Sequence, residues 1–208
     1  MRLTYSFAQT YLEVARSAVD SLEPEKLGAL RRSRGLNRVA NLLFASASLT
    51  IIYSYLAVES FVNYHLYQRW IDPQGTAKVE LQRRFPKVQR FDDLRTTKLR
   101  DLRERLKTLC KLLRCRPIHE ADPKLWADFT GLFEDSRHFL THPIPDPVSF
   151  QSNMNRVMKK IEGGRYVSVA ARVIDHLYRE TGASPPEWLK ANQTLRLKGL
   201  ALIRRPRK

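Results

Sequence analysis

Between Arg38 and Glu59 the chain carries no charge for 20 residues, VANLLFASASLTIIYSYLAV. No other feature constrains the fold as strongly. A run of about 20 apolar residues is long enough to cross a bilayer as a helix. The same run also describes a helix buried on most sides at the centre of a soluble bundle. Asn41, Ser46, Ser48, Thr50 and Ser54 interrupt it, and the pattern continues into Glu59 and Asn63. We therefore read residues 37–70 as a central bundle helix. A membrane-associated basic protein anchored by residues 39–58 is the alternative.

The rest of the chain is also helical in period. Residues 4–22 place Tyr11, Leu12, Ala15, Ala18, Val19 and Leu22 on one face. Asp72-Pro73-Gln74-Gly75 is a strong turn. Residues 77–96 are polar and basic, broken by Pro86, and suit a short helix and loop. In residues 97–115, Leu99, Leu102, Leu106, Leu109 and Leu113 recur three and four apart, with Arg and Lys opposite. Asp122-Pro123 supplies an N-cap and a first-turn proline for a helix over 123–142, striped by Leu125, Phe129, Leu132, Phe133 and Leu140. Pro143, Pro145 and Pro147 then enforce extended chain. A last core helix spans 165–180 and stops at Thr181-Gly182. The sequence thus predicts an all-α fold: an antiparallel bundle of four main helices plus an N-terminal helix. Residues 1–36 form the N-terminal helix and a basic connector, 37–182 the bundle, and 183–208 a basic tail.

Charge narrows the partners. With 37 Lys and Arg against 21 Asp and Glu, the net charge is +16 over 208 residues. Residues 83–116 hold thirteen bases and four acids, and 189–208 hold seven bases and no acid. Such blocks attract polyanions, here RNA, DNA or anionic lipid. Arg103, Lys107, Lys111 and Arg114 line the polar face of the Leu-seamed helix and are the candidate nucleic-acid contacts. Cys110 and Cys115 match neither a zinc knuckle nor a redox pair and read as small apolar fillers of a cytoplasmic protein.

One short stretch carries chemistry: SRHFLTHP, residues 136–143. On a helix His138 and His142 lie about 40° apart, one turn from each other, and away from the apolar stripe. Three readings are open. A metal site would need a third ligand from the scattered His65, His119 and His176, and it lacks the HExxH glutamate, because Phe139 stands in that place. A solvated helix end would place both histidines near the negative end of the helix dipole. An acid/base site would use a histidine to take the proton of an RNA 2′-hydroxyl, with Arg137 clamping the phosphate oxygens.

Arg137-His138-x-x-x-His142, near the end of a late helix in a bundle, resembles the R-x4-H signature of the HEPN superfamily. The long helix carrying Glu59 and Asn63, LAVESFVNYHL, is similar to the first core helix of such domains. The resemblance covers about residues 37–182. It implies a metal-independent endoribonuclease of toxin–antitoxin or phage-defence type, in which two such motifs meet across a homodimer interface. It assigns the phosphate to Arg137, acid/base work or 2′-hydroxyl orientation to His142, and a supporting role to His138. Glu59 and Asn63, one turn apart, would hydrogen-bond Arg137, or would simply be a polar pair at the wet end of a core helix. No cofactor or metal is implied. The implied partners are RNA, a second copy of the chain, and an antitoxin or regulatory protein, with no membrane. The N-terminal helix, the 77–96 insert and the basic tail fall outside the resemblance. The alternative is a non-catalytic module of the same fold, binding nucleic acid or a protein through its basic face.

Overall fold

A computed structural model describes residues 5–22, 36–141, 152, 156–157, 161 and 165–193; for residues 5–6, 36–40, 95, 132 and 134–141 it describes the backbone alone. The helices are α1 (Tyr5–Asp20), α2 (Leu36–Ile71), α3 (Ala77–Arg84), α4 (Leu102–Leu113), α5 (Ile118–Ala121), α6 (Pro123–Thr141), α7 (Arg165–Glu180) and α8 (Glu187–Gln193). Two 3-10 segments, Phe91–Thr96 and Lys98–Arg100, precede α4. No strand occurs among the described residues, so the fold is all-α.

The uncharged run of α2 is explained by what lies on it. α1 packs antiparallel along its N-terminal half. Tyr11 meets Tyr53 with ring centroids 5.7 Å apart, Thr50 Oγ1 approaches the carbonyl of Ala15 at 3.5 Å, and the Ser21 and Ser46 hydroxyls are 2.9 Å apart. Ser46, Thr50 and Ser54 are buried. They are small enough for close helix approach, and Thr50 returns its proton to the Ser46 carbonyl. By length and composition alone, Asn41–Ile71 also meets the criterion for crossing a membrane, and 39% of its most apolar window is buried.

α7 is the other central element. Tyr166, Val167, Val169, Ala170, Val173, Ile174 and Leu177 are all buried. Burying each of the larger apolar side chains stabilises the fold by about 1.5–3 kcal/mol. Phe61 of α2 packs on Tyr178, and Phe133 of α6 touches both Tyr55 and Tyr166. Arg172 pairs with Asp122, and Arg165 with Asp128. These contacts run α6 antiparallel to α7, and α7 in the same sense as α2. The main core includes Leu12 and Val19 of α1 and Leu189 of α8. The basic tail therefore begins with a helix docked on the bundle, where Ser168 Oγ donates to the Gln193 carbonyl.

The Leu-seamed region is not one helix. Thr97 and Asp101 accept hydrogen bonds from Leu99 N–H and Arg103 N–H, and each starts a new element. Leu99 consequently leaves the seam. It joins Trp70, Leu81, Val88 and Leu94 in a second small core under the 77–96 insert, while Leu102, Leu106 and Leu109 stay in the main one. Gly182, with φ +72°, closes α7 as expected: its N–H bonds the Arg179 carbonyl and that of Ala183 the Tyr178 carbonyl.

Candidate functional site

The structure brings Glu59 and Asn63 together with an arginine, but the arginine is Arg105. Arg105 Nη2 donates to Glu59 Oε1 and Nη1 to Asn63 Oδ1, each at 2.5 Å. Nη2 also lies 3.4 Å from the Arg100 carbonyl. Arg105 is 9% exposed, and its Nε is buried with no hydrogen-bond partner among the described residues. A buried guanidinium needs charge and acceptors around it, and the α2 pair supplies both. The Arg137 side chain, which these two residues were expected to hold, lies outside the described residues.

The cluster forms one side of a cavity of about 680 Å³ between α1, α2, the first 3-10 segment and the approach to α4. Tyr11, Tyr64, Tyr67 and Phe91 supply aromatic walls, with Arg100 at the edge. The 3-10 segment holds Phe91 in place. Asp93 Oδ2 accepts the backbone N–H groups of Gln89 and Arg90, which keeps its carboxyl below the usual range. Phe91 in turn meets Tyr67 edge-on at 5.2 Å. Nothing in the local sequence marks this cavity, because its lining comes from five elements.

The R-x4-H motif reaches the end of α6. Arg137 and His138 lie on the backbone of its final turns, and their side chains are outside the described residues, as is the whole of His142. Phe133, one turn before Arg137, sits against Tyr55. Because α6 opposes α2 in direction, the last turns of α6 head for the N-terminal half of α2, away from Glu59 and Asn63.

The four basic residues of α4 differ in freedom. Arg103 is clamped by Asp101 at 2.6 Å, and that hydrogen bond is the main reason the Asp101 carboxyl titrates below its usual range. Lys107 pairs with Glu104 at 3.0 Å and lies over Trp126. Lys111 and Arg114 are exposed. Arg114 caps α4 in the left-handed conformation, φ 55° and ψ 35°.

His65 packs against Phe61 with centroids 4.3 Å apart, and burial, with Arg69 adding repulsion, lowers its pKa to about 4. His119 stands beside Trp126, and His176 Nε2 meets the Arg116 carbonyl at 3.0 Å. Among the described residues no group of three or more His, Cys, Asp and Glu could hold a metal ion. Burial pushes the Cys110 thiol up to about 12, and Cys115 adds to the shift. Comparison with family models, with curated proteins and with solved structures finds no match.

Proposed function

We propose that this chain is an HEPN-like, metal-independent endoribonuclease acting as a homodimer. The observation that carries the reading is the position of Arg137 and His138 in the final turns of α6, a helix whose earlier residues Leu125, Phe129 and Phe133 are buried in the core. The bundle presents the motif at a helix end, at the start of the Pro-rich segment that contains His142. Exposed Leu49 and Ile52 lie on the half of α2 toward which α6 runs. Exposed apolar residues on this half of α2 suit a second copy, which in this reading brings a second Arg137/His142 pair.

In this scheme His142 takes the 2′-hydroxyl proton of the RNA. The 2′-oxygen attacks the adjacent phosphorus and the 5′-oxygen leaves with a proton. Arg137 holds the charge growing on the phosphate oxygens through paired hydrogen bonds. The products are a 2′,3′-cyclic phosphate and a 5′-hydroxyl, with no metal in the step. RNA is gathered by the basic blocks, in which Lys111 of α4 and its C-cap Arg114 are exposed and have no acid against them among the described residues.

The test is incubation with mixed RNA in EDTA, beside Arg137→Ala and His142→Ala. Cleavage to cyclic-phosphate ends that falls about 10²–10⁴-fold in either variant supports the reading. Cleavage unchanged in both variants removes it. A second reading, a non-catalytic binding module, is favoured by one observation: Glu59 and Asn63 are already committed to Arg105. Absence of cleavage with RNA binding retained would select it. An antitoxin or other regulatory partner belongs to either reading.

A further inference from the structure

We propose that the cavity beside Glu59 and Asn63 is a recognition site for a guanine base, presented by a nucleotide or by single-stranded RNA. Its volume of about 680 Å³ lies within the roughly 300–1,000 Å³ typical of small-molecule sites. The walls are aromatic: Tyr11, Tyr64, Tyr67 and Phe91. Unstacked bases are bound on such rings and then read along their Watson–Crick edge.

The polar residues define which edge is read. Arg105 occupies Glu59 Oε1 and Asn63 Oδ1. Donation to Oδ1 fixes the amide, so Asn63 Nδ2 is left as a donor. Among the described residues, Glu59 Oε2 and Asn63 Nδ2 have no hydrogen-bond partner, and both residues line the cavity. The carboxylate accepts only, and it stands one helical turn from an amide donor. Guanine offers the complement: N1–H and N2–H for the carboxylate, O6 for the amide. Adenine and cytosine each present one amino donor beside a ring acceptor, so they meet the pair with one hydrogen bond fewer to the carboxylate. Uracil matches in part, through N3–H and O4.

Charge excludes the obvious competitor, an aromatic amine. Arg105 already neutralises Glu59, and exposed Arg100 adds a further positive charge at the edge. A cation gains little there, whereas a phosphate attached to the base gains an arginine. Arg105 is thus a positioning residue: it sets the direction of two reading groups while staying buried itself.

The inference deepens the proposed function and rests on it for the biological source of the base, though the binding measurement does not require cleavage. Titration of the full chain with GMP, AMP, CMP and UMP, followed by calorimetry, should show GMP preferred over the other three by about tenfold or more. Glu59→Gln should bring GMP to the level of AMP. Two variants at exposed positions leave the Arg105 cluster intact and so report even if Glu59→Gln fails to fold. Tyr67→Ala should weaken every nucleotide about tenfold without changing their order. Arg100→Gln should weaken GMP but not guanosine. Equal binding of GMP and AMP, or no binding by the wild type, overturns the proposal. A short oligonucleotide with one guanine that binds more tightly than GMP identifies RNA as the source; GMP as the tighter ligand identifies a free nucleotide, and both outcomes uphold the guanine site. Guanine preference in a chain that fails to cleave RNA would overturn the nuclease reading while leaving this site intact.

Discussion

Arg105 on α4 reaches Glu59 on α2 across 46 positions of sequence, Nη2 to Oε1 at 2.5 Å, with side-chain exposures of 11% and 27%. A pair this sheltered locks the two helices in register, and removing one member strands the other. Arg105→Ala should destabilise the fold by about 3 kcal/mol. Arg105→Met together with Glu59→Gln should recover most of that loss, because no charge is then left unpaired. Urea unfolding of Arg105→Met, Glu59→Gln and the double measures the coupling. Additive losses would show that the pair is not an energetic unit.

His65 gives stability a dependence on mild acid. Its folded pKa is lowered to about 4 by burial against Phe61, from the ordinary 6.5. Between those values the unfolded chain binds the proton and the folded chain does not. Stability is therefore complete above pH 6.5 and falls as pH drops toward 4. The loss should reach about 2 kcal/mol, allowing for water at the partly exposed ring. Unfolding midpoints at pH 7 and pH 5 should diverge in the wild type and converge in His65→Leu. Identical pH slopes in the two proteins would remove His65 as the cause.

Arg114 pays for its position in backbone strain, standing at φ 55° where a β-carbon is unfavourable. Arg114→Gly should raise stability by about 0.5–1 kcal/mol. If Arg114 also contacts RNA, the same variant should bind RNA more weakly and with a shallower salt dependence. Thermal unfolding and a salt titration read the two effects separately. A drop in Tm would contradict the strain argument.

The basic residues of α4 should not contribute equally. Lys107 is tied to Glu104 and Arg103 to Asp101, whereas Lys111 is exposed and has no acid against it among the described residues. Lys111→Gln should lower RNA affinity severalfold and reduce the salt slope by about one unit. Lys107→Gln should do less, because its charge is already half-spent on a neighbour. Electrophoretic shift over a salt series decides between equal and graded contributions.

Helical period and caps made the elements legible. The apolar faces of α1 and α7, the Asp122-Pro123 start of α6 and the Gly182 stop depend on spacings within a few residues, which the sequence states directly. So did the uncharged length of α2, though not what covers it. The 3-10 break before α4 was missed because Leu99 keeps the seam spacing. Its departure is caused by Thr97 and Asp101 caps and by a second core that includes Trp70, 29 positions earlier in the numbering.

The partner of Glu59 and Asn63 was equally illegible. Both Arg105 and Arg137 are helix residues within a basic or polar pattern, and only the crossing of α4 on α2 brings one of them into reach. Sequence by itself determined which stretches are helical, which face of each is apolar, and that the surface is strongly basic, since these follow from local spacing and composition. Tertiary structure alone decided which arginine is buried, which lysines remain unpaired, and that four aromatic rings from three separate regions enclose one cavity. Those outcomes depend on the angles at which helices cross, and no local spacing encodes them.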